Sequence, residues 1–124
     1  MIRMEKQLII LVLLVFSISV SAQKKVLISD KDQIIEEAKK ELNQTLANPE
    51  SDFMKMVREN KITGEYVFDI SIYEKGQVLS VFVVSSNARD VKMQNRVKDM
   101  VKTIEFNFKM PKGKSYKFQY IFNF

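Results

Sequence analysis

The sequence predicts a small α+β domain in which helices cover one face of an antiparallel sheet of three to four strands. Three observations point there. Two stretches, one beginning at Glu65 and one closing the chain from Ser115, alternate with a period of two. Two others, from Ile34 to Leu46 and from Met93 to Ile104, repeat apolar residues every three or four positions. A short turn containing Gly76 joins two β-patterned runs, which makes them a hairpin. The resulting order is α-α-β-β-α-(β)-β.

The elements follow in turn. Ser29 with Asp32 three residues on is the start signal of the first helix. Ile34 or Ile35, Ala38, Leu42 and Leu46 form its apolar stripe. In "ANPESD", Asn48 reads as a cap and Pro49 as the first residue of a short second helix, whose buried side is Phe53, Met56 and Val57. In "EYVFDISIY", Tyr66, Phe68, Ile70 and Ile72 share one face. Glu74–Gln77 is the turn, with Gly76 where a positive φ is wanted. The return run places Leu79, Val81 and Val83 on one face and Phe82 and Val84 on the other. Asn87 with Asp90 starts the next helix, striped by Met93, Val97, Met100 or Val101, and Ile104. Met93 and Met100 fall on that stripe as core fillers rather than ligands. "IEFNFKM" alternates again, as a strand or extended piece. After "PKGK" comes an aromatic row of Tyr116, Phe118, Tyr120, Phe122 and Phe124. Burying each ring is worth about 1.5–3 kcal/mol before costs, so the last strand is structural rather than a tail.

The first 22 residues read as a secretory signal peptide ahead of a single domain spanning 23–124. Arg3 and Lys6 precede an apolar run from Leu8 to Val20, whose 13 residues are short of the roughly 20 that a membrane span needs. Val20 and Ala22 are the small residues read before cleavage, between Ala22 and Gln23. A periplasmic or secreted location follows, with no stable membrane span after cleavage. The chain has no cysteine, so an oxidising compartment adds no disulfides to the core.

Net charge is +5, unevenly spread. Residues 89–124 hold nine basic and three acidic side chains, a net +6, whereas residues 23–88 hold nine basic and eleven acidic, a net −2. The basic back half suits an anionic partner or surface. No nucleic-acid motif is present. Histidine and cysteine are both absent, which removes the commonest general base, the thiol nucleophile and the usual zinc ligands. The acid neighbours Glu36 and Glu37, Asp30 and Asp32, and Asp69 and Glu74 make no catalytic spacing. Three scattered glycines make no phosphate loop. The expectation is a non-enzymatic protein with no cofactor and no metal.

The stretches "FMKMVRENKITGEYVFDISIYEKGQVLSVFVVSS", "SSNARDVKMQNRVKDMVKTIEF" and "PKGKSYKFQYIFNF" together resemble the TonB C-terminal domain family. The match runs from Phe53 to Phe124, with Gly64 and Gly76 at the family's glycine positions and a closing F-x-F. The chain departs from the family's transducers in having no proline-rich linker, since its two prolines, Pro49 and Pro111, lie inside the domain. The resemblance implies a protein-interaction domain that takes an extended segment of an envelope or outer-membrane transport protein by strand addition. It also implies that the last strand, Ser115 to Asn123, supplies the edge; there the alternation turns Ser115, Lys117, Gln119, Ile121 and Asn123 away from the aromatic row, and Lys117 with Lys112 and Lys114 suits an acidic partner. A homodimer through the same edge is the competing use. The alternative function is an envelope accessory protein that rests its basic half on anionic lipid or polysaccharide.

Overall fold

The computed structural model describes residues 24–124. The predicted signal peptide and its cleavage point at Ala22 and Gln23 lie outside the described residues. The chain runs β1 (Val26–Leu27), α1 (Lys31–Ala47), α2 (Asp52–Glu59), β2 (Glu65–Tyr73), β3 (Gln77–Ser86), α3 (Val91–Lys102), β4 (Phe108–Lys109) and β5 (Ser115–Asn123). The fold is α+β, as the sequence predicts. Its main sheet is antiparallel, in the order β3-β2-β5, and β1 and β4 form a separate two-stranded parallel pair.

Each helix start is set by one side-chain oxygen that accepts an otherwise unpaired N–H. At α1 this is Asp30, which accepts from the Gln33 N–H at 2.9 Å. The expected Ser29 start is therefore one residue early, because Asp30 is the last extended residue before the helix. At α2 the cap is Ser51, accepting from Met54. Asn48, expected in that role, instead donates its backbone N–H to Thr45 at the end of α1 and accepts the Glu50 N–H on its side chain. Pro49 thus lies in the turn. At α3 Asp90 accepts from Met93 at 2.7 Å, and the Asn87 side chain accepts the Glu65 N–H at the mouth of the hairpin instead.

β2 is the centre of the molecule. Tyr66, Phe68, Ile70 and Ile72 are all fully buried beneath the helices, as their spacing requires. Ile34, Ala38 and Leu42 of α1, Phe53 and Val57 of α2, and Met93, Val97, Met100 and Val101 of α3 close over them. From β5, Phe118 and Phe122 are buried while Tyr116 and Tyr120, with Phe124 just past the strand, are half-buried at the margin. Among the described residues, no helix lies on the opposite face of the sheet.

β3 departs from simple alternation. Val67 and Phe68 oppose Ser85 and Val83, and Ser71 and Ile72 oppose Ser80 and Val78. Val84 and Leu79 are therefore extra residues, two β-bulges. The bulges put Val78, Val81 and Val83 on the core side and leave Leu79 exposed with Phe82 and Val84, which corrects the expected face of Leu79.

The "IEFNFKM" stretch buries Phe106, Phe108 and Met110, as its alternation predicts, yet adds no strand to the main sheet. It crosses the hairpin turn. The Phe106 N–H bonds the Gly76 carbonyl at 2.8 Å, and the Met110 N–H bonds the Glu74 carbonyl. Gly76 permits this crossing: its φ is +79°, and a Cβ there would lie 2.6 Å from the carbonyl oxygens of both Phe106 and Phe108. β1, invisible to periodicity at two residues, then pairs with β4.

Candidate functional site

β5 is an edge strand. Its nine residues pair with β2 in one unbroken register from Tyr73↔Ser115 to Glu65↔Asn123. Just beyond, Gly64 and Phe124 exchange both backbone bonds, at 3.2 and 2.9 Å. In an antiparallel ladder such doubly bonded pairs alternate with pairs that do not bond. The bonded pairs are then Tyr66 with Phe122, Phe68 with Tyr120, Ile70 with Phe118 and Ile72 with Tyr116. The Asn87 N–H bond to the Glu65 carbonyl fits the same phase, since it turns the odd-numbered residues of β2 toward β3.

Ser115, Lys117, Gln119, Ile121 and Asn123 consequently point their N–H and C=O groups away from β2, along the open edge. None is a proline, and all five side chains are exposed. These are the five residues that the resemblance implies. The structure places them on one edge and one face, opposite the buried row. Among the described residues, no other strand or loop makes backbone hydrogen bonds to this edge.

The other edge is less regular. Two bulges break the even spacing of β3, a device that blunts edges against pairing. At its start, Gln77 is already bridged to Glu105.

The chemistry of the open edge changes along its length. At one end Ile121 lies opposite Val67, at the centre Gln119 lies opposite Asp69, and at the other end Lys117 lies opposite Ser71. Lys112 and Lys114 are exposed on the turn leading into β5. On the helix side, the Tyr120 hydroxyl donates to Asn43 of α1, and burial holds its pKa above 10.0. The helix over β5 is therefore tied to the strand by a side-chain bond, and the rings of Tyr116 and Tyr120 on that side are half-buried.

A second feature was not legible in the sequence. Glu41 of α1 accepts the Asn107 N–H at 2.9 Å, and Lys25 contacts both the Lys75 carbonyl and the Glu105 carboxylate, at 2.6 and 2.7 Å. Burial pushes the Glu41 carboxyl above its usual 4.5, with Glu37 adding to the rise, while the Asn107 bond and Lys25 oppose it. The Lys25 bond and charge hold Glu105 below its usual value. These contacts strap β1 and β4 to α1 and the hairpin turn. They join residues 66 and 80 positions apart, which no local pattern reveals. The groove beside them has Gln33, Glu37 and Glu41 on one wall and Val26, Leu27 and Asn107 on the other, so two carboxylates on successive turns of one helix face it, with Ser29 also in its lining. Among the described residues there is no group of three or more acid, histidine or cysteine side chains able to hold a metal ion. Among the same residues no helix is long and apolar enough to cross a membrane.

No family model, curated protein or solved structure matches the chain.

Proposed function

We propose that this is a non-enzymatic protein-interaction domain of the cell envelope, periplasmic or secreted, that binds an extended segment of an envelope or outer-membrane transport protein as a fourth strand on β5. The supporting observation is the contrast between the two edges. β5 offers nine residues in even register whose outward backbone groups have no partner among the described residues, while β3 is bulged twice and bridged at its start. Natural sheets normally guard an edge of that length with charges, prolines or bulges, and β5 carries a single lysine. Strand addition uses such an edge, with main-chain bonds supplying affinity and alternate side chains supplying specificity. The resemblance to the TonB C-terminal domain family supports the same reading.

Lys117→Pro tests it. The Lys117 N–H points outward, so proline removes a bond to the partner and none to β2. The variant should stay folded and lose less stability than Phe118→Ala, for which about 3–5 kcal/mol is expected. An envelope extract passed over both immobilised proteins should leave a protein on the wild type that the proline variant does not retain. The amide signals of residues 115–123 should shift when that protein's extended segment is added. Equal retention by both proteins refutes the edge assignment.

A second reading rests on another surface. Arg89, Lys92, Arg96 and Lys102 are exposed in and just before α3, which suits anionic lipid or polysaccharide. Salt-sensitive sedimentation with anionic vesicles, unchanged by Lys117→Pro, would favour it.

A further inference from the structure

We infer that the segment accepted by β5 is antiparallel to it and presents, on the solvent face of the sheet, an apolar side chain beside Ile121 followed four residues later by an acidic one beside Lys117. The inference rests on the strand-addition reading and assigns the chemistry of its partner. Three observations lead to it.

The outer face of the sheet is apolar at one end. Ile121 is 56% exposed and Val84 50%, while Phe82 stands in the central row opposite Asp69. Ile121 faces Val67 on the central strand, which in turn faces Ser85, with the exposed bulge residue Val84 beside it. An incoming apolar residue beside Ile121 extends that row across a fourth strand and removes it from water.

The opposite end is positive. Lys117 faces Ser71 rather than an acid, and among the described residues the single ion pair is Lys25–Glu105, elsewhere in the fold. Lys112 and Lys114 add to the field there. Between the two ends Asp69 lies behind Gln119, which disfavours an acid at the centre and leaves the Lys117 row as its place. On the helix side the half-buried rings of Tyr116 and Tyr120 call for apolar residues at the alternate positions. Antiparallel pairing continues the sense of the whole sheet, and it is the slightly stronger arrangement per residue. The apolar residue therefore comes first along the partner.

A second copy of the chain does not supply this chemistry. The only charged side chain between Ser115 and Asn123 is Lys117. Two antiparallel copies of β5 centred on Gln119 set Lys117 against Ile121, and centred on Lys117 they oppose like charges. The edge is built for a different sequence.

The probe is a capped peptide as long as β5, with valine on its inward positions and threonine on its outward ones except for isoleucine and, four residues later, glutamate. One control carries lysine for the glutamate, and another reverses the isoleucine–glutamate order. Titration at low and high salt should show the first peptide binding about fivefold more tightly than either control. High salt should reduce its advantage over the lysine peptide. Lys117→Glu should invert the choice between glutamate and lysine peptides, and Lys117→Pro should weaken all three. Equal binding of the three peptides, all lost in Lys117→Pro, overturns the assigned chemistry while strand addition stands. Tighter binding of the reversed peptide overturns the antiparallel order. Failure of every peptide to bind, or indifference to Lys117→Pro, overturns strand addition and this inference with it.

Discussion

Phe122→Ala tests the packing on which the open edge depends. Phe122 is fully buried. Its ring lies 6.0 Å from that of Phe53 on α2, 5.7 Å from Phe68 on β2, 4.8 Å edge-on from Tyr120 and 6.0 Å from Phe124. Truncation removes the ring and leaves a cavity walled by two strands and a helix, which cannot all move inward together. A buried Phe→Ala change costs about 3–5 kcal/mol, and limited collapse puts this site in the upper half of that range. Edge-on and tilted ring pairs add to the loss. Against a total stability of about 5–15 kcal/mol for a domain, this is a large fraction. Ile121→Ala is the control one residue away. Its side chain is 56% exposed on the opposite face, so it should cost about 1 kcal/mol or less. Urea unfolding followed by far-UV circular dichroism and tyrosine fluorescence measures both, and no tryptophan complicates the signal. Equal losses for the two variants, or a loss below about 1 kcal/mol for Phe122→Ala, would refute the inward packing of the row and, with it, the outward face of the edge residues.

Other outcomes follow from single contacts. Gly76→Ala should cost more than Gly113→Ala by at least about 2 kcal/mol in urea midpoint analysis. Both residues have φ near +78° within a degree, at +79° and +77°, but only Gly76 would drive a Cβ to 2.6 Å from two carbonyl oxygens, while Gly113 has open space. Asp90→Ala should cost about 1 kcal/mol through loss of the Met93 cap, and Asp90→Asn should restore most of it. Glu41 carries a pH signature. Burial raises its folded pKa above 4.5, so its stabilising contribution is complete below that unfolded value and is lost as pH rises through the folded one. Wild type should therefore lose stability relative to Glu41→Gln across the window just above 4.5, as seen in unfolding midpoints over a pH series; a flat difference would show that burial there is relieved by solvent.

Much of the candidate site could be read locally. In β5 the two-residue period separates Phe118 and Phe122 from Lys117, Gln119 and Ile121 because successive side chains point to opposite faces whatever the strand pairs with. The same logic placed Tyr66, Phe68, Ile70 and Ile72 in the core. Where local logic missed, a neighbour distant in sequence had intervened. Leu79 changed face because β3 bulges to fit β2. Asn87, plausible as a helix cap, went to Glu65 across the hairpin. Asn48 and Ser51 competed for one role, and the backbone path rather than composition chose Ser51.

Sequence alone determined that the chain is α+β, that its closing strand is greasy on one side, and which five residues lie on the other, since these follow from covalent geometry and burial of apolar surface. The strand order, and hence the exposure of β5, came only with the tertiary structure. So did the phase of the β2–β5 ladder, which turns the backbone groups of those five residues outward, and the interruption of β3 by two bulges and a bridge to Glu105. An edge is a statement about which partner is missing, and hydrogen-bond phase is set by two strands together, so neither is written in the periodicity of one.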